Sequence, residues 1–117
     1  MDPRIEYVAS FIQENYHRKL TLEEMASTVN LSRWRLCHLF SEGMLTSRQR
    51  FLTQIRLERA RKLLATEFLT VKEVMNQVGM SDASSFARSF KAAYGVTPGQ
   101  YRAAPRSTIQ KRKGKGT

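Results

Sequence analysis

Apolar side chains recur along this chain at the spacing of amphipathic helices. Between residues 4 and 16, Ile5, Val8, Ile12 and Tyr16 fall on one helical face. Later sets of the same kind are Met25, Ala26 and Val29; Leu36, Leu39 and Phe40; Val74 and Val78; and Phe86 and Phe90. The alternation typical of strands does not compete anywhere. The pattern therefore predicts an all-α protein of about seven helices.

A helix-turn-helix pattern occurs twice, over residues 20–32 and again over residues 69–81, which is 49 residues later. Each copy is followed by an amphipathic stretch that ends in a phenylalanine, Phe40 or Phe90. One extra residue in the second copy shifts the spacing from 49 to 50 by that point. Two copies of one unit in a basic chain suggest a protein that contacts two successive places on a repeating ligand, such as duplex DNA.

Polar residues at fixed offsets predict where these helices begin and turn. Capping boxes are expected at Thr21 with Glu24 and at Thr70 with Glu73. The turns contain Asn30 and Gly79, residue types that tolerate a positive φ. The other predicted helix starts are Ser32, then Ser81 or Asp82, then residues 97–100 with Pro98 at the first helical position, and residues 47–50 as their first-lobe equivalent.

The stretch between the two copies predicts a long connecting helix. No glycine or proline interrupts residues 51–64, and a helix over residues 47–65 would span roughly 28 Å. The expected organisation is an N-terminal helix-turn-helix lobe over residues 1–46, the connecting helix over 47–66, a C-terminal lobe over 67–104 and a disordered basic tail over 105–117.

The charge balance favours a polyanionic partner. Twenty Lys and Arg residues face ten Asp and Glu residues, which gives a net charge of +10 and a pI near 10.4. Half of the excess belongs to the tail, in Arg106, Lys111, Arg112, Lys113 and Lys115. A solvated surface is the alternative explanation, although residues 1–105 remain basic without the tail.

Several function classes are disfavoured by what the chain contains. Cys37 is the single cysteine, so neither an internal disulfide nor a cysteine-based metal site is expected, and no cofactor is predicted. Cys37 and His38 are adjacent, so on a helix they diverge by about 100° and cannot form a nucleophile–base pair. No apolar run approaches the roughly 18 residues of a membrane span, and no signal peptide is apparent. These features predict a soluble cytoplasmic protein that is not an enzyme.

Three segments of the second copy carry a family resemblance: residues 78–82, 86–91 and 94–102, with the sequences Val-Gly-Met-Ser-Asp, Phe-Ala-Arg-Ser-Phe-Lys and Tyr-Gly-Val-Thr-Pro-Gly-Gln-Tyr-Arg. Together with the connecting segment 56–64, they resemble the DNA-binding domain of the AraC/XylS family of bacterial transcription regulators over residues 4–103. The first copy departs from the family pattern at Arg48, where proline is usual.

The resemblance implies sequence-specific binding of double-stranded DNA by two recognition helices in successive major-groove segments. Two units in one chain allow binding as a monomer, although an upstream domain could supply dimerisation. The expected location is the nucleoid, with RNA polymerase as a further partner. Both a small complete regulator and the C-terminal half of a larger one fit. The alternative from a different class is a helical module whose basic face binds a protein or RNA.

Two sets of DNA contacts follow from the resemblance and from the exposed positions of the recognition helices. Trp34 can pack on a thymine methyl group, His38 can donate to guanine, and Arg88 can form a bidentate contact with guanine. For Trp34 the alternative is filling a gap between helices, and for His38 it is simple solvation. The predicted base contacts are Trp34, Cys37, His38, Ser84, Ser85 and Arg88. The predicted phosphate contacts are Ser32, Arg33, Arg35, Arg48, Arg50, Ser81, Lys91 and Gln100.

Overall fold

The computed structural model describes residues 1–66 and 68–103, and these residues form seven helices. They are α1 (Pro3–Asn15), α2 (Leu22–Thr28), α3 (Arg33–Met44), α4 (Arg48–Leu64), α5 (Val71–Gln77), α6 (Ala83–Tyr94) and α7 (Pro98–Ala103). No strand occurs within the described ranges, so the all-α prediction with about seven helices is confirmed. The predicted disorder of residues 105–117 concerns a segment outside the described residues.

The chain divides into two compact units, one comprising residues 1–56 and the other starting at residue 57, so helix α4 contributes to both. In the first unit α1 packs on α2 and α3. Its fully buried side chains belong to those helices: Ile5, Val8, Ile12, Met25, Leu36 and Phe40. The helical periodicity predicted every one of them, because burial follows the 3.6-residue period.

A half-buried arginine connects α4 to the end of α1 within the first unit. The Arg56 guanidinium donates through Nε to the carbonyl of Tyr16 at 2.8 Å and through Nη2 to that of Arg18 at 3.0 Å. These carbonyls lie just beyond the end of α1, where intrahelical partners are lacking. Burial lowers the pKa of Arg56 from its usual value.

The predicted capping box at the start of α2 is only half formed. Thr21 accepts from the backbone N–H of Glu24 at 3.1 Å, as expected. The Glu24 carboxylate accepts two hydrogen bonds from Arg18 instead of returning to Thr21, with the shorter at 2.7 Å. This hydrogen bond with Arg18 holds the pKa of Glu24 below its ordinary value. The expected second half of the box was therefore wrong.

The second unit packs α5, α6 and α7 together around Phe90. The rings of Phe86 and Tyr101 lie 6.0 and 5.7 Å from the Phe90 ring, and the Arg61 guanidinium lies over the Tyr94 ring at 5.6 Å. The capping box predicted in this unit is present, and the predicted start of α7 has a reciprocal pair of the same kind. Thr70 and Glu73 exchange hydrogen bonds at 3.1 and 2.8 Å, and Thr97 and Gln100 do so at 3.1 and 2.9 Å.

Both predicted helix-turn-helix turns contain a residue with positive φ, Asn30 at 58° and Gly79 at 88°. A second pair of positive φ values ends the helices that follow. Gly95 closes α6 at φ 83°, and Leu45 closes α3 at φ 58°. Leucine has a Cβ that disfavours this conformation, so Leu45 is strained where Gly95 is not. Its side chain is 89% exposed, so packing offers little compensation.

Candidate nucleic-acid interface

The helices α3 and α6 are structural equivalents that differ by 50 positions. Each has 12 residues, with Ser32 as the N-cap of α3 and Asp82 as that of α6. Of the two candidate caps for α6, Asp82 is therefore the one used, and its carboxylate accepts from the N–H of Ser84 at 3.2 Å. The extra residue of the second copy lies in the turn before α6. Ser81 precedes the cap, so it does not occupy the position of Ser32.

The first recognition helix presents an aromatic pair to solvent. Trp34 is 66% exposed, so it does not fill a gap between helices. Its ring meets that of His38 edge to face, with ring centroids 3.9 Å apart. The two residues are four positions apart and thus lie one above the other on the same face of α3. An apolar surface beside a nitrogen donor suits the major-groove edge of a thymine next to a guanine.

The remaining predicted base contacts are Cys37 on α3 and Ser84, Ser85 and Arg88 on α6. Cys37 is half-buried beside His38, and the position of His38 corresponds to that of Arg88 in α6. Arg88 is exposed, as are Ser84 and Lys91. Ser85 is half-buried. The second recognition helix thus offers small side chains around one arginine, whereas the first offers two aromatic rings and a thiol.

The predicted phosphate contacts fall into two groups, those whose side chains are exposed and those whose side chains already bind another residue. Arg35 and Arg50 belong to the first group, because both are exposed. Arg33 instead forms an ion pair with Glu23, with Nη1 and Oε2 2.9 Å apart. The Gln100 side-chain oxygen caps α7, while its amide group remains able to donate.

Arg48 begins α4 at the place where Pro98 begins α7. Ser47 caps this helix by accepting from the N–H of Arg50 at 3.1 Å, so the turn forms without the proline that the family pattern contains. The Arg48 side chain is half-buried, and its Nε is buried without a hydrogen-bond partner. Arg48 is consequently less available to a phosphate than Arg50.

The Glu23–Arg33 ion pair and the exposed Lys72 were not predicted from the sequence. The pair joins residues ten positions apart across the helix-turn-helix turn, and no short-range pattern indicates it. The 49-residue repeat could have indicated Lys72, because Lys72 lies 49 residues after Glu23.

Among the described residues, no group of three or more His, Cys, Asp or Glu side chains is placed to hold a metal ion. No helix in that part of the chain is long and apolar enough to cross a membrane.

Comparison with known proteins agrees with this geometry. The model of a helix-turn-helix domain family matches residues 25–104. The raffinose operon transcriptional regulatory protein RafR of Pediococcus pentosaceus is 39% identical over 93 residues, which cover 80% of this chain and 34% of the relative. The lactose operon transcription activator of Staphylococcus xylosus is 31% identical over 98 residues, which cover 84% of this chain and 35% of the relative. The chain thus spans about a third of the length of these curated relatives.

Solved structures of similar chains share the fold. The C-terminal domain of AraT, a response regulator from Geobacillus stearothermophilus, superposes with a TM-score of 0.79 at 33% identity, covering 86% of this chain and 84% of that one. The DNA-binding domain of AdpA, a global transcriptional factor solved in complex with a target DNA, gives a TM-score of 0.81 at 26% identity, covering 92% and 96%. The chain belongs to the helix-turn-helix family and is a DNA-binding domain of the AraC type, not an enzyme.

Proposed function

We propose that the chain regulates bacterial transcription by binding one specific duplex of about 20 bp through two adjacent major-groove segments. The observation that carries the proposal is that one chain holds two recognition helices of equal length and equivalent register, each with an exposed face. Two such helices in one chain allow binding as a monomer to a site that is not palindromic. Because duplex DNA is the proposed partner, the proposed location is the nucleoid of the bacterial cytoplasm.

The two faces differ in chemistry, so the two halves of the site should differ in how they are recognised. Trp34, Cys37 and His38 contact bases in the first half-site. Arg88 carries direct recognition in the second half-site, with Ser84 and Ser85 beside it. The smaller set in α6 implies that phosphate contacts and DNA shape contribute more there.

Contact with RNA polymerase completes the proposal. Relatives named as an operon regulatory protein and as a transcription activator support a role at promoters. The competing function, binding of RNA or an acidic protein by the basic face, predicts no preference among duplex sequences of equal length.

Selection of bound sequences from random duplex DNA tests the proposal. We expect a single bipartite site that binds at least ~10³-fold more tightly than scrambled duplex. Inserting 5 bp between the half-sites rotates them onto opposite faces of the DNA, so affinity should fall toward the scrambled value. Inserting 5 bp outside the site is the matched control. Unchanged affinity after the internal insertion would contradict the bipartite site, and no preference among duplexes would favour the competing function.

A further inference from the structure

The first helix of each helix-turn-helix unit differs in charge near its N-terminus, with a negative side chain in the first unit and a positive one in the second. Thr21 and Thr70 are the N-caps of α2 and α5, so Glu23 and Lys72 occupy the same second position of the two helices. Both side chains are exposed. The two copies of the repeat therefore carry an acid and a base at the same position of the helix.

The residue opposite this position is exchanged as well. Arg33 is the first residue of α3, and Ala83 is the first residue of α6. In the first unit Glu23 and Arg33 neutralise each other across 2.9 Å. In the second unit the same two places hold a lysine and a methyl group, so the positive charge lies on α5.

The cap of α6 adds a second difference. Asp82 accepts from the N–H of Ser84, so a carboxylate occupies the N-terminus of this recognition helix. A negative charge there repels a phosphate. Each cap uses one backbone donor, because Ser32 likewise accepts from the N–H of Arg35 at 3.1 Å, so the two helix starts differ in charge. Ser32 caps α3 without a charge, and the exposed Arg35 lies in the first turn of that helix.

Lys72 is the single cation in the sequence between Thr70 and Ala87. The neighbouring Glu73 is engaged with the backbone N–H of Thr70 at 2.8 Å, as part of the capping box. In helix-turn-helix proteins the first helix of the unit crosses the DNA backbone while the second enters the groove. Lys72 therefore lies on the helix that meets phosphates, in a stretch of sequence that contains no other cation.

We infer that Lys72 supplies a backbone phosphate contact of the second unit, in addition to those predicted for Lys91 and Gln100, and that Asp82 excludes phosphate from the N-terminus of α6. The inference rests on the proposed function. It places a phosphate contact at the start of α5 in the second unit. In the first unit the equivalent Glu23 is paired with Arg33, and the first turn of α3 contacts phosphate through Arg35.

The salt dependence of binding tests this assignment, with the selected duplex and a scrambled duplex measured for each variant. Lys72→Gln should reduce the slope of log K against log salt by about 0.9, the value for one phosphate contact, and weaken both duplexes by the same factor. Lys62→Gln is the matched control, because it removes the same charge from an exposed position on α4. Its slope should change by less than half as much.

Asp82→Asn keeps a good N-cap while removing the charge, and it should strengthen binding to both duplexes. Equal slope changes for Lys72→Gln and Lys62→Gln would overturn the inference, since Lys72 would then act only through net charge. Weaker or unchanged binding by Asp82→Asn would overturn the role given to Asp82. A wild-type chain that fails to prefer the selected duplex would instead overturn the proposed function, while the comparison of the two lysines on any bound duplex would still decide the inference.

Discussion

The exposed face of each recognition helix was predictable at the scale of single residues, because burial follows helical periodicity. Leu36 and Phe40 point inward and Trp34 and His38 point outward, as their spacing predicted. The interactions among the exposed residues were not predictable. The ion pair of Arg33 with Glu23 depends on the geometry of the intervening turn.

Arg88 and Arg35 differ in what their removal should do. A bidentate contact of Arg88 with guanine would make Arg88→Ala cost roughly 1–3 kcal/mol at the selected site. The decrease in affinity should be concentrated at one base pair, where substitutions then become tolerated. Arg35→Ala should weaken binding nearly uniformly and reduce the salt slope by about one.

The measurement is a pair of affinity profiles over all single base substitutions, one for each variant, at fixed salt. Arg59→Ala serves as the control because Arg59 is exposed on α4, outside both recognition helices. A profile whose shape survives Arg88→Ala would show that Arg88 contacts the backbone rather than a base.

At the scale of helices, the sequence predicted the bounds of the helices well, but it predicted the hydrogen-bond partners of the capping residues less well. Helix α4 extends from Arg48 to Leu64, within one residue at each end of the expected 47–65. The box between Thr70 and Glu73 formed as predicted, whereas Glu24 turned to Arg18 instead of Thr21. A capping box is local, but a competing cation can come from the preceding loop and leaves no mark in the four-residue pattern.

The end of α3 was the least predictable feature of this kind, and it yields a stability prediction. Leu45 adopts φ 58° while its N–H donates to the carbonyl of Ser41 at 3.0 Å, in the manner of a glycine C-cap. Leu45→Gly should stabilise the chain by about 1 kcal/mol, because it removes left-handed strain from an exposed leucine. Gly95→Ala should destabilise by about the same amount.

Denaturant unfolding of the three variants Leu45→Gly, Leu45→Ala and Gly95→Ala checks this prediction. Leu45→Ala keeps a Cβ and should show little gain in stability, which separates backbone strain from removal of an exposed apolar group. A Cβ added at Gly95 meets no atom within 4 Å, so any destabilisation there comes from the backbone and not from a clash. Equal stabilisation by Leu45→Gly and Leu45→Ala would contradict the role of strain.

At the scale of the whole molecule, a quarter of the Lys and Arg residues lie in a segment outside the two helix-turn-helix lobes. Among the described residues, the buried side chains lie between positions 5 and 101. Five of the 20 Lys and Arg residues of the sequence lie in residues 105–117, which contain no acid. The sequence predicts attraction to a polyanion from this segment, but nothing in it distinguishes one base from another. Specific and nonspecific affinity should therefore have separate sources in the chain.

Deletion of residues 105–117 separates those sources. Their cations can pair with phosphates of any sequence, so the deletion should lower the salt slope by about 0.9 for each phosphate that these cations neutralise. The selected and scrambled duplexes should bind more weakly by the same factor. The free energy of unfolding should not change, because every buried side chain among the described residues is retained. Replacing the five cations with glutamine at full length is the control for chain length, and it should reproduce the deletion. A weakening confined to the selected duplex would show instead that residues 105–117 contribute to sequence recognition.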